Sequence, residues 1–195
     1  MMPCTRPPAP EVLKAARDAW LQALAKDRDR EFRWPERAGE TLNKHLLPVL
    51  LAMTSQRCAY CDGYAEDRRA GSRETIDHFK PKSRFPEAAL DWDNLFPACG
   101  GCQGSDGKGS DWDERVLKPD VPGFQFERFF LYEDGTGLVL ANPAASLEDQ
   151  VRANATIAFF GLNLKGLPEA RRRHVRLYGA EPEAERPYRF AYPPP

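Results

Sequence analysis

Two pairs of cysteines, Cys58-Ala-Tyr-Cys61 and Cys99-Gly-Gly-Cys102, constrain this chain more than any other feature. A two-residue spacer lets both sulfurs of a pair turn toward one ion, and four thiolates are the ligand set of a closed, tetrahedral zinc site. Such pairs are also found as redox dithiols or as plain buried thiols. Two matched pairs with no βαβ pattern around either favour metal. The zinc would serve folding, because four thiolates leave no open position for a substrate. The 37 residues between Cys61 and Cys99 exceed the gap of a zinc ribbon, so something other than a bare turn must fill it. The fifth cysteine, Cys4, sits alone in a Pro-rich leader and is assigned no role.

The rest of the chain reads as one compact α+β domain with extensions. Residues 1–10 form a Pro-rich leader, expected to be mobile, and 11–56 carry two helices. The first is expected from Glu11 to Ala25, with Val12, Leu13, Ala16, Trp20 and Leu24 inward. The second spans about Ala38 to Ser55, with Pro48 expected to kink or split it. Residues 57–118 hold the cysteine pairs, and within them 57–109 is a turn-rich, charged stretch with little apolar periodicity, to which a metal can supply the missing cohesion. In 119–185, Arg128–Leu131 and Leu138–Ala141 flank Glu133-Asp134-Gly135-Thr136-Gly137 as a hairpin. Ser146 and Asp149 mark the start of a helix expected to run to Phe160 and to bury Val151, Ala155, Ile157, Ala158 and Phe159. Gly161 ends it, and a last helix follows over Leu167–Tyr178. Residues 186–195, rich in proline and aromatics, read as an extended tail that docks on something.

A formal net charge of −1 argues against a protein coated in positive charge, yet a local basic face is enough for phosphate contact. Arg68, Arg69, Arg73, Lys80, Lys82 and Arg84 make one such face. Lys165, Arg171, Arg172, Arg173 and Arg176 make a second, which reads as an ordinary solvated surface. No stretch approaches the ~18 apolar residues of a membrane span, and the opening residues lack the apolar core of a signal peptide. A cytoplasmic protein with no membrane association is expected.

Between the cysteine pairs lie Ile76-Asp77-His78-Phe79-Lys80-Pro81 and Leu90-Asp91-Trp92-Asp93-Asn94-Leu95, and after the second pair Asp106-Gly107-Lys108-Gly109. Phosphodiester hydrolysis needs an activated water, a cation on the phosphate oxygens and a means of holding the base in line. Histidine suits the base, its ordinary pKa being near neutrality. A neighbouring carboxylate suits a divalent metal, and a later asparagine can hydrogen-bond across the loop and orient the imidazole. His45 and His174 have no such company and read as structural.

In this order the residues resemble the HNH endonucleases with a zinc-stapled ββα-metal finger. The detailed likeness is to the HNH nuclease subunit of Septu-type and retron-associated anti-phage systems. It rests on Ile76 to Pro86, on Leu90 to Leu95, on Lys108-Gly109 and, more loosely, on Leu117-Lys118-Pro119, the Asp134-Gly135 hairpin and Leu162-Asn163-Leu164. The resemblance implies a ββα-metal finger with a Cys4 structural zinc, flanked by N- and C-terminal helices and a β-hairpin. It also implies a metal-dependent endonuclease acting on nucleic acid, DNA foremost, as the effector of an anti-phage system beside an ATPase subunit. Carried over by position, His78 is the general base, Asp77 a ligand of a catalytic Mg²⁺ or Mn²⁺, and Asn94 the orienting asparagine. Lys80, Lys82, Arg84 and Lys108 are expected at substrate phosphates. The final metal ligand departs from the pattern. Gln103 stands where the family has Asn, His or Asp, and Asp106 is the better ligand chemically. The rival reading is a non-catalytic zinc module that binds nucleic acid or a partner protein.

Overall fold

A computed structural model describes residues 1–64, 74–104, 107–164, 166–179, 181–182 and 185–192. Asp106, Arg68, Arg69, Arg73 and Lys165 lie outside the described residues.

The apolar spacing of the first helix produces α1 (Glu11–Lys26), which buries Leu13 and Trp20. A two-residue strand pair, β1 (Glu36–Arg37) with β2 (Glu40–Thr41), leads into α2 (Leu42–Met53). Leu42, Leu46 and Leu50 recur at the i, i+4, i+8 spacing of one helical face and are buried. Pro48 lies inside α2 on its exposed side and does not split it.

The centre of the molecule is the antiparallel pair β3 (Glu74–His78) and β4 (Leu95–Cys99), followed directly by the single turn α3 (Gly100–Gln103). Every residue of β4 is buried, because the two-stranded sheet is covered on both faces. Side chains alternate across a strand. Leu95 and Ile76 therefore pack with Leu13, Trp20 and the α2 leucines. Phe96 and Ala98 join a larger core with the four cysteines, Tyr60, Phe79, Phe130 and Phe160.

The C-terminal half builds the wall of that second core. A single helical turn, α4 (Phe126–Phe129), precedes the hairpin β5 (Phe130–Glu133) and β6 (Leu138–Ala141). Gly137 has φ +76° in the hairpin turn, and a Cβ there would lie 2.1 Å from the Pro168 carbonyl oxygen, so only glycine fits. Helix α5 (Leu147–Phe159) starts at Ser146, whose hydroxyl accepts the Asp149 N–H at 3.1 Å. Its buried side chains are Asp149, Ala153 and Thr156, with Phe160 beyond. The expected inward Val151 is exposed, since the apolar stripe is narrower than the sequence implies and rotated.

Helix α6 (Leu167–Tyr178) carries the late arginines. Arg172, Arg173 and Arg176 are exposed as expected, but Arg171 is wholly buried. Its guanidinium donates to the carbonyls of Leu162 (2.6 Å) and Gly137 (3.0 Å), joining α6 to the hairpin.

Both ends are fastened to the domain. The leader, expected to be mobile, makes specific contacts: Arg6 pairs with Asp120 at 2.6 Å and donates to the carbonyls of Trp92 and Leu95, while the Trp92 indole donates to the Pro7 carbonyl. The tail docks on the chain itself. Tyr188 is buried, its N–H donates to the Asp62 carbonyl (2.7 Å), and Arg189 pairs with the Asp62 carboxylate (2.6 Å). Among the described residues no helix is long and apolar enough to cross a membrane.

Candidate metal centre and active site

The first cysteine pair occupies a tight turn after α2, where the Asp62 N–H donates to the Cys58 carbonyl and the Cys58 N–H to Gly63. The Ala59 N–H reaches the Pro97 carbonyl at 2.9 Å and ties this turn to β4, which ends in Cys99. Helix α3 then delivers Cys102. The four sulfurs are buried and lie within 4.8 Å of one another, with Cys61 and Cys99 at 3.9 Å. A tetrahedral ion at ~2.3 Å from each sulfur sets them ~3.8 Å apart, so the cluster can hold one metal ion with little movement. Burial pushes the Cys58 and Cys102 thiols well above their ordinary pKa. Four thiolates here require a cation.

Asp77 and His78 are consecutive on β3 and face opposite sides of it. Asp77 faces the cysteine-lined core. Its carboxylate accepts the Tyr60 hydroxyl at 2.6 Å and the Lys108 ammonium at 3.0 Å. Lys108 also donates to the His78 carbonyl. Burial raises the Asp77 pKa, and the Lys108 ammonium and Tyr60 hydroxyl act against that rise. Burial also holds the Tyr60 phenol far above its ordinary pKa, which keeps it a donor.

Lys108 is 2% exposed. It is therefore not the surface phosphate contact that its position after the cysteines implies; its charge is spent on Asp77. The approach depends on Gly107, where a Cβ would lie 2.4 Å from the Cys102 carbonyl oxygen.

His78 faces the α2 side, 6% exposed. Trp34 stacks on its ring (centroids 5.5 Å, 29°) and Phe32 meets it edge-on at 5.4 Å. Nε2 lies 3.0 Å from the Ala89 carbonyl oxygen. A carbonyl only accepts, so Nε2 carries the proton and Nδ1 keeps its lone pair. Burial, with the Lys82 ammonium beside it, lowers the pKa to about 4, and the ring is neutral at pH 7.

Asn94 does not orient the imidazole directly. Its side-chain oxygen accepts the Lys80 N–H (2.7 Å), and its amide donates to the carbonyls of Ala88 (2.9 Å) and Lys80 (3.2 Å). It braces the loop from Phe79 to Ala89 and so places the Ala89 carbonyl that holds His78. Gln103 donates to the Thr75 hydroxyl. Lys80, Lys82 and Arg84 are exposed on the same loop.

Sequence reasoning passed over Tyr60, Phe32, Trp34 and the Ala89 carbonyl. Tyr60 was open to notice inside the first cysteine pair. Phe32 and Trp34 lie far from the motif and carry no local signal.

The family model for HNH endonuclease matches residues 58–109. Among curated proteins, the Septu protein PtuB of Bacillus thuringiensis is 31% identical over 73 residues, a stretch covering 37% of this chain and 28% of that protein. The matched residues contain both cysteine pairs, Asp77, His78, Asn94 and Lys108. Residues 58–109 thus match the HNH endonuclease family model around a four-cysteine cluster able to hold a metal ion, in a chain that resembles Septu protein PtuB.

Proposed function

We propose that this protein is an HNH endonuclease that hydrolyses phosphodiester bonds in nucleic acid, with DNA as its substrate, and that the ion of the cysteine cluster is zinc. The observation that carries the reading is His78, a neutral imidazole fixed through Nε2 on the Ala89 carbonyl with Nδ1 left as acceptor. Such a group takes a proton from water attacking phosphorus. Asn94 acts as a positioning residue through the loop it braces. Lys80, Lys82 and Arg84 grip backbone phosphates from that loop.

The arrangement at Asp77 does not fit a catalytic Mg²⁺ or Mn²⁺ as it stands. Magnesium demands near-octahedral oxygen ligands. One Asp77 oxygen takes an ammonium and the other a phenol. Asp106, the other expected ligand, lies outside the described residues. A divalent ion at Asp77 requires that Lys108 leave it.

The test is plasmid cleavage with Mg²⁺, with Mn²⁺ and with neither. The parent is expected to cut with Mg²⁺ or Mn²⁺ and not without them, and His78→Ala to cut about 10²–10⁴-fold more slowly with its circular dichroism unchanged. Equal rates for the two proteins would dispose of this mechanism. The Lys108–Asp77 pair favours a second reading, a zinc module that binds nucleic acid or a partner without cutting. That reading expects one zinc per chain and no cleavage under any of the three conditions.

The likeness to an anti-phage nuclease subunit supports a further part of the proposal: the protein acts as a defence effector in the cytoplasm beside an ATPase subunit. Co-elution of the two proteins on size exclusion is expected, and independent elution would count against it. Because the tail packs on Asp62, a partner would meet other surfaces first.

A further inference from the structure

The loop after β3 carries more than cations. Residues 81–85 form a tight turn in which the N–H groups of Arg84 and Phe85 both donate to the Pro81 carbonyl. On one side of this turn the Lys80 ammonium lies over the rings of Phe85 (5.7 Å) and Trp112 (5.9 Å), which meet edge to face. On the other side the Lys82 ammonium lies over Phe32 (5.7 Å), which meets Trp34 edge to face, and Trp34 stacks on His78. All four aromatic residues are only partly buried. Among the described residues, Lys80, Lys82 and Arg84 have no carboxylate at ion-pairing distance, in a chain whose net charge is −1.

We propose that this ridge binds unpaired nucleic acid, with nucleobases stacking on the Phe85–Trp112 and Phe32–Trp34 pairs while Lys80, Lys82 and Arg84 hold the intervening phosphates. The inference rests on the reading that these cations meet substrate phosphates, and it names the substrate class as single-stranded. Aromatic side chains interleaved with cations form the usual platform for single strands, since every base offers a π-face and every linkage a charge. Duplex bases are stacked on one another and offer no such face to a side chain. Phosphate contact alone explains the lysines and the arginine; it does not explain two aromatic pairs that flank them with part of their surface still open, one of them touching His78.

The experiment measures binding to the whole protein without Mg²⁺ or Mn²⁺ and without chelator, so that nothing is cut and the cysteine cluster keeps its ion. Labelled ~20-nucleotide single-stranded DNA, RNA of the same sequence and the DNA duplex are compared by anisotropy, with tryptophan fluorescence as a second signal. At least one single strand is expected to bind about tenfold more tightly than the duplex and to quench tryptophan fluorescence. The DNA and RNA arms tell which sugar is preferred. Trp112→Leu and the milder Phe85→Leu are each expected to weaken single-strand binding about tenfold and duplex binding little. Lys82→Ala is expected to weaken both and to lower the salt dependence. Equal affinity for duplex and single strand, or unchanged single-strand affinity in both aromatic variants with unchanged circular dichroism, would overturn the proposal. Plasmid cleavage that depends on His78 would survive that result, so the two failures are distinguishable.

Discussion

The four cysteines and the Asp77–His78 pair share one frame, the β3–β4 sheet, but they stand in opposite conditions. The cysteine sulfurs converge with a gap sized for an ion among them. The groups proposed to react are already occupied by the protein: Asp77 by Lys108 and Tyr60, His78 by Ala89, Trp34 and Phe32. A site that serves folding is complete when the chain closes on its ion. The site proposed for chemistry is held by internal partners, and those partners set how much charge it shows.

The sharpest way to break this comparison is to remove the ion from the cysteines. Cys99→Ser, or stripping the metal with a strong chelator, is expected to unfold residues 58–109, because structural zinc binding is worth about 10 kcal/mol or more of folding free energy. Metal analysis of the parent should give one zinc per chain, and circular dichroism should report the loss. A stripped protein that keeps its melting temperature would show that the cluster is not what holds this segment.

The next effect is at Lys108. Lys108→Met leaves the Asp77 carboxylate buried without its cation, and a loss of about 3–5 kcal/mol is expected in urea denaturation. The double change Asp77→Asn with Lys108→Met removes both charges and is expected to recover most of that loss. Additive single losses would mean that the two groups do not depend on each other.

Smaller again is Asn94→Ala, which strands the buried Ala88 carbonyl and the half-buried Lys80 carbonyl and N–H of the loop, at about 2–3 kcal/mol. Because Asn94 acts through the Ala89 carbonyl, the His78 resonance is expected to shift with it. A test that changes no residue is the pH response of His78. Its folded pKa lies near 4, below its unfolded value of 6.5, so the neutral ring is the form the fold favours. The resulting stability is complete above pH 6.5 and is lost as pH falls from there toward 4. NMR titration should place the midpoint near 4; a midpoint near 6.5 would show an open, solvated imidazole.

Much of this was legible along the chain. Helix α1 and the hairpin follow from local apolar spacing and turn residues, and α6 from Gly161, Leu167-Pro168 and the run that follows. The inward face of α5 was not, because Val151 and Ala158 fit a helical stripe as well as Ala153 and Thr156 do; only the wall it packs against decides. Nor was the anchored leader, which takes its order from Asp120 and Trp92, residues distant in sequence.

By itself the sequence determined the four-cysteine cluster able to hold a metal ion. A Cys-x-x-Cys turn aims its two sulfurs by local geometry, and two such turns need only meet. The state of the reacting groups belongs to the tertiary structure. Lys108 reaches Asp77 across 31 positions, Trp34 reaches His78 across 44, and Asn94 works through a backbone carbonyl that any residue would supply. Charge neutralisation in a buried site depends on which groups lie within a few ångströms, and spacing along a chain does not carry that distance.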